Sequence, residues 1–241
     1  MDIEALLRQY VPNLVSYRDK FYSSLSATAE MFVKAGIIAF FAGLFFGIVL
    51  VVCKKGGIRE NAVLYQITNI VINIFRSIPF LILLIFLIPL TRAVVGTAIG
   101  VKGAILPLVF GTVPFYTRQV EVALSSVSAG KIEAARSMGS GTLGIIFRVY
   151  LHEAVPDLIR VTTVTAISLI GLTTMAGAVG AGGIGSFAIN YGQNQNHADI
   201  VDVCVVVLLV VVFLLQSLGN FASRRTTNRS LFSRRTGGDV K

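Results

Sequence analysis

Apolar residues in this chain gather into long runs separated by short polar breaks, and those runs predict its elements. The first runs from about Met31 to Cys53, carries no charge after Lys34, and is closed by Lys54, Lys55, Gly56, Gly57 and Arg59. A second, about Ile67 to Leu90, is interrupted by Arg76 and then Ser77-Ile78-Pro79. A third, about Val101 to Val122, carries Pro107 and Pro114 and ends near Arg118 and Glu121. Residues 123–160 break the pattern with Lys131, Glu133, Arg136, Arg148, His152, Glu153, Asp157 and Arg160. A fourth run, about Val161 to Val179, dissolves into Gly180-Ala181-Gly182-Gly183-Ile184-Gly185. After a polar loop from Asn190 to His197 comes a fifth, about Val203 to Ala222, and then a basic tail. Crossing a hydrocarbon layer takes about 20 helical residues. The pattern therefore predicts an all-α integral membrane protein with five spans (31–53, 67–90, 101–122, 161–179 and 203–222). An N-terminal segment (1–28) precedes a membrane domain (29–223), and a tail (224–241) follows it. Ile3, Leu6, Leu7, Tyr10, Val11, Leu14 and Val15 at helical spacing predict a short interfacial helix over 3–15, interrupted by Pro12.

Composition agrees with the bilayer as solvent. The 241 residues are 54% hydrophobic and 14% charged, with mean hydropathy +0.78, against roughly a quarter charged in soluble domains. The net charge of +9 comes without the basic, aromatic-interleaved patch of a nucleic-acid binder, so no nucleic acid is expected. Fourteen of the 21 Lys and Arg fall on one side of a five-span topology, among them Lys54, Arg136 and the tail arginines. Six fall on the other, with Arg76 in the membrane. The positive-inside bias then expects a cytoplasmic tail and a cytoplasmic loop over 123–160, with the N-terminus outside. Asp2 and Glu4 do not start a signal peptide, so no cleavage is expected. Cys53 and Cys204 belong to opposite ends of this topology and are expected to be ordinary buried thiols.

Several motifs are weaker than they look. His152-Glu153 begins H-E-x-x-H, but Pro156 stands where the second histidine belongs, and the other histidine, His197, is expected on the opposite face. No metal site is expected, and both histidines read as solvated loop residues. Gly180 to Gly185 satisfies G-x-G-x-x-G, with Asp199 about 20 residues on, yet the glycines follow a membrane helix rather than a strand. Gly180, Gly182, Gly183 and Gly185 are expected to permit close helix packing. Gly130-Lys131 is no P-loop, so this chain is not expected to bind ATP by that route. No catalytic set is present and the chain is not expected to be an enzyme. An ionisable residue at membrane depth faces a bundle interior by default, so Arg76, with Ser77 and Pro79, is a candidate for the translocation pathway or for an anchor to freed carbonyls. Met175 is a candidate for the gate or for plain packing.

Glu133-Ala134-Ala135-Arg136-Ser137-Met138-Gly139 resembles the E-A-A-x-x-x-G signature of ABC importer permeases, the binding-protein-dependent inner-membrane component family. His152 departs from it, standing where the family usually has proline. Asn73 to Phe80, Ile88 to Arg92, Val95-Gly96-Thr97 and Gly177 to Gly183 resemble the methionine importer permeases. The likeness covers about residues 28 to 223. It implies an ATPase-coupling helix carried by Glu133, Ala134, Ala135, Arg136 and Gly139. In it Glu133 favours a helix start, Ala134 and Ala135 let a second surface approach, and Gly139 permits a sharp exit. It further implies a homodimer in the bacterial cytoplasmic membrane, two cytoplasmic ABC ATPases that bind ATP and Mg, an extracytoplasmic substrate-binding (lipo)protein, and no cofactor in this chain. The expected function is import of methionine, D- and L-forms included, by ATP-driven alternating access. The alternatives are an ABC permease for another small amino acid or polar solute, and a secondary transporter or channel. Secondary transporters usually carry more spans, internal repeats and buried acids, and neither repeats nor buried acids are evident.

Overall fold

A computed structural model describes residues 11–236, with side chains to 226. The expected interfacial helix over 3–15 falls largely outside the described residues. Every described element is helical: α1 (Pro12–Ser16), α2 (Arg18–Cys53), α3 (Ala62–Ser77), α4 (Phe80–Phe86), α5 (Ile88–Val95), α6 (Gly100–Ser125), α7 (Ala129–Ser137), α8 (Thr142–Ile145), α9 (Leu151–Glu153), α10 (Val155–Ala176), α11 (Gly183–Phe187) and α12 (Ala198–Thr236). Wider π-turns occupy Ile146–Tyr150, Gly177–Ala181 and Ala188–Gly192. Three helices are long and apolar enough to cross a membrane by themselves. Counting the bent pairs α3 with α4 and α5 with α6 as one span each gives up to five.

The helices depart from the apolar runs in three places. Helix α2 starts at Arg18, well before Met31, and from its early turns Phe21 and Leu25 pack on the cluster that holds Phe187. The run expected over 67–90 is not one helix. Pro79 donates no backbone N–H and disfavours helix at the residue before it, so α3 stops at Ser77 and α4 starts at Phe80, with Pro79 at ψ 135°. Leu87 then separates α4 from α5, which ends on Gly96 at φ 82°, a left-handed cap that glycine adopts without strain. The stretch after Gly182 is not an open loop, since α11 and a π-turn fill it. Pro107 and Pro114, by contrast, lie inside an unbroken α6.

The chain packs as two compact units, one from the segments up to Ile38, Ile78–Thr112 and Ile167–Leu214, the other from Ala39–Ser77, Val113–Ala166 and the segment from Leu215. The first has Met31, Ala35, Leu84, Ala104, Leu108, Leu169, Ala176 and Ala181 as its core. A second cluster, Ile184, Phe187, Ile200 and Cys204, takes Tyr17, Phe21 and Tyr191 against it. The start of α1 is tied to that cluster's helix, because Asn13 N and Nδ2 both donate to the Asp199 carboxylate at 3.0 Å. His197 is part-buried there, its Nδ1 3.0 Å from the Tyr191 carbonyl, so it is not the solvated residue expected.

The second unit is centred on Val51, Tyr116, Val120, Leu124, Ala135, Ile145, Tyr150 and Ala154. Gly43 and Gly47 let α2 lie close to α6: a Cβ on Gly43 would stand 2.6 Å from the Tyr116 ring, and one on Gly47 2.5 Å from Val120. Tyr116 Oη and Thr162 Oγ1 pair at 2.7 Å. Cys53 and Cys204 are both buried and unbridged.

Candidate functional site

Between α6 and α10 the chain leaves the long helices and folds back on its own unit. Val127 and Ser128 turn it, α7 follows, and Gly139 at φ 79° reverses it. The helix begins at Ala129, so Glu133 lies beyond the first turn and is not the helix-start residue expected. Pro156 takes the second position of α10, where a missing N–H costs nothing. His152 is exposed on the short helix before it.

Helix α7 has two faces. Ala135 is 5% exposed and belongs to the second unit's core with Ile145 and Tyr150. Glu133, Ala134 and Ser137 are exposed away from it, and Met138, just past the helix end, is exposed as well. Ala135 is thus used by the chain's own core and is not open to a second surface; Ala134 is. Arg136 Nη2 donates to the carbonyl of Ile58 at 2.6 Å and of Gly57 at 3.3 Å, which ties α7 to the turn after α2. Lys131 pairs with Glu153, and Ser126 donates to Asp157 at 3.1 Å. Burial raises the Tyr150 phenol above its usual range, while the charge of Arg136 pulls it back. Held in this way, the loop exposes Met138, Leu143 and Phe147 at 78, 70 and 64%, and Glu133 is exposed on the same segment. A small-residue patch with apolar neighbours and one charge is what a docking surface needs.

The other candidates sit elsewhere. Arg76 and Ser77 end α3 and are exposed, and Ser77 Oγ donates to the Asn73 carbonyl at 2.8 Å. Pro79 is exposed at the start of α4. Met175, 53% exposed, ends α10 just before the glycines. The glycines divide by role. A Cβ on Gly185 would overlap the Thr174 carbonyl, and one on Gly183 would stand 2.6 Å from Thr28 Oγ1, a hydroxyl that accepts from Ile184 N at 2.8 Å. Gly177, missing from the expected packing set, is equally tight, 2.7 Å from Ser186 N. Gly180 and Gly182 meet nothing within 4 Å but hold φ 94° and 81°. They are turn glycines rather than packing glycines.

A polar cluster went unpredicted. Arg118 on α6, its side chain 19% exposed, pairs with Glu121 at 2.6 Å. Its Nη2 donates to Asn73 Oδ1 at 2.9 Å and to Asn69 Oδ1, and its buried Nε has no partner among the described residues. Asparagines four apart in an apolar helix were the available signal. Among the described residues no three His, Cys, Asp or Glu gather as a metal would need.

Residues 39–228 match the model of the binding-protein-dependent transport system inner membrane component family. The chain belongs to that family. It is 43% identical over 202 residues to the probable D-methionine transport system permease protein MetI of Vibrio cholerae, covering 84% of this chain and 90% of that one. It is 47% identical over 171 residues to the methionine import system permease protein MetP of Bacillus subtilis, covering 71% and 77%. A crystal structure of the MetNI methionine ABC transporter in an inward-facing conformation superposes with TM-score 0.85 and 40% identity, over 88% of this chain and 98% of that chain. An amino acid ABC transporter, 18% identical with TM-score 0.73, shares the fold. As a family member, the chain is an inner-membrane transport permease.

Proposed function

We propose that two copies of this chain form the pathway of an ABC importer of methionine, with α7 of each copy docked on a cytoplasmic ATPase. ATP and Mg are bound by the ATPase, not by this chain. An extracytoplasmic binding protein delivers the amino acid. Closure of the ATPases draws the two α7 helices together, the pathway opens outward, and hydrolysis reverses it. The outward face of α7 carries this reading. Glu133, Ala134 and Ser137 stand clear of a helix whose opposite side is locked into the core, so a push on that face must move the unit's own core. The names of the relatives above and the lysine and arginine distribution support the substrate and the topology: N-terminus outside, loop 123–160 and tail inside. Arg76, Ser77, Pro79 and Met175 are proposed to line the path.

Purified complex in proteoliposomes tests the reading. ATP-dependent methionine uptake that needs the binding protein is expected. Uptake of a different solute in preference to methionine would favour the rival substrate, and uptake without the ATPase would favour a secondary transporter. Single cysteines at Asn194 and Ser137 should label from opposite sides.

A further inference from the structure

Helix α3 has three faces. Thr68 and Ile72 are buried. Val63, Ile67, Ile70 and Ile74, 69, 57, 51 and 55% exposed, make an apolar face suited to lipid. At 3.6 residues per turn, Gln66, Asn69, Asn73, Arg76 and Ser77 fall within about 100° of arc between the two. Polar and ionised groups in a membrane segment face water or another polar surface. This stripe is therefore not lipid-facing.

Arg118 decides which atoms the stripe displays. A guanidinium only donates, so Asn69 and Asn73 must each turn Oδ1 toward it. Their amide N–H groups are thereby turned away. Asn73 Nδ2 makes just a long 3.4 Å contact with Asn69 Oδ1. Glu121 sits on Arg118 Nη1 at 2.6 Å and balances its charge, which leaves Arg76 as the cation on the exposed stripe. Amide donors beside a cation suit an anionic acceptor, since hydrogen bonds to ionised oxygens are shorter and roughly twice as strong as neutral ones.

We infer that Asn69, Asn73 and Arg76, the asparagines oriented by Arg118 and Glu121, form the surface that takes the carboxylate of the amino acid as it crosses. The proposal rests on the import reading above and adds the group that is recognised and the residues that meet it. Arg118 and Glu121 act here as positioning residues.

Asn69→Asp and Asn73→Asp test it. Aspartate keeps the oxygen that Arg118 requires, so α3 stays attached to α6. It replaces the outward N–H by a charged oxygen that repels a carboxylate. In proteoliposomes holding the complex and its binding protein, methionine uptake is expected to fall about tenfold or more, the scale of a lost charge-assisted hydrogen bond. If the asparagines serve solely as anchors for Arg118, the stronger ion pair leaves uptake unchanged, and that result overturns the proposal while the import reading stands. Wild-type vesicles that import no methionine remove the import reading and this proposal with it. Should the Asp variants fail to co-purify with the ATPase, Asn73→Cys and Ile74→Cys decide. A membrane-impermeant sulfonate thiol reagent should modify the first faster than the second, and excess delivered methionine should slow it. Equal rates, or no slowing by methionine, overturn the proposal.

Discussion

The loop helix α7 and the glycine turn at 177–185 are both tightly built, but by opposite means. Helix α7 is fastened by what its side chains add: Ala135 in the core, Arg136 on the Gly57 and Ile58 carbonyls, Lys131 on Glu153. Such fastening uses one side of a helix and leaves the other free. The glycine turn is fastened by what is missing, since Gly177, Gly183 and Gly185 admit backbone where a Cβ would collide. All three of those glycines are buried. The first construction makes a surface that can be pushed without coming apart. The second makes a joint that fixes chain direction and offers little to a partner.

Substitutions should separate the two constructions. The largest effect is expected from Ala135→Glu, which puts a charge and added volume into a 5%-exposed site. A loss of about 3 kcal/mol or more follows from overpacking and unpaired burial together. Folded permease should be scarce by size-exclusion chromatography, and a well-folded variant would break the two-faced account of α7. Gly185→Ala comes next. Overlap with the Thr174 carbonyl involves backbone on both sides, so a cost of about 2–3 kcal/mol should lower the thermal midpoint of the complex. An unshifted midpoint would show that the turn is not sterically locked. Gly180→Ala is the smallest. It meets no described neighbour within 4 Å, and the left-handed conformation at φ 94° and ψ 14° costs an L-residue about 1–2 kcal/mol. A loss as large as that of Gly185→Ala would restore the packing role for Gly180.

The sequence disclosed the class of fold at once, because runs of apolar residues long enough to span a bilayer have few other uses. The coupling segment was legible in type and order, but not in direction. In a nine-residue helix with adjacent alanines at 134 and 135, composition marks neither as the inward one. That choice is made by Ile145 and Tyr150, which come from later in the chain. The glycine run was legible as a special turn, yet packing glycines and positive-φ glycines look identical in a sequence. Hydropathy spans 67–90 as one run because it is blind to backbone direction, and Pro79, which interrupts that run, is the signal for the bend. In the sequence Arg118 and Glu121 read as the polar end of a span. Their union with Asn69 and Asn73 depends on α3 and α6 lying side by side, which no local pattern encodes.

The central claim is that the exposed face of α7 carries the coupling, and Ala134→Glu tests it most directly. Ala134 is exposed, so the substituted chain should fold, insert and reach the same thermal midpoint as wild type. ATP-driven methionine uptake by proteoliposomes of the complex should nevertheless be lost, with weak co-purification of the ATPase or no stimulation of its turnover on substrate delivery. Full ATP-driven methionine uptake by Ala134→Glu would contradict the account.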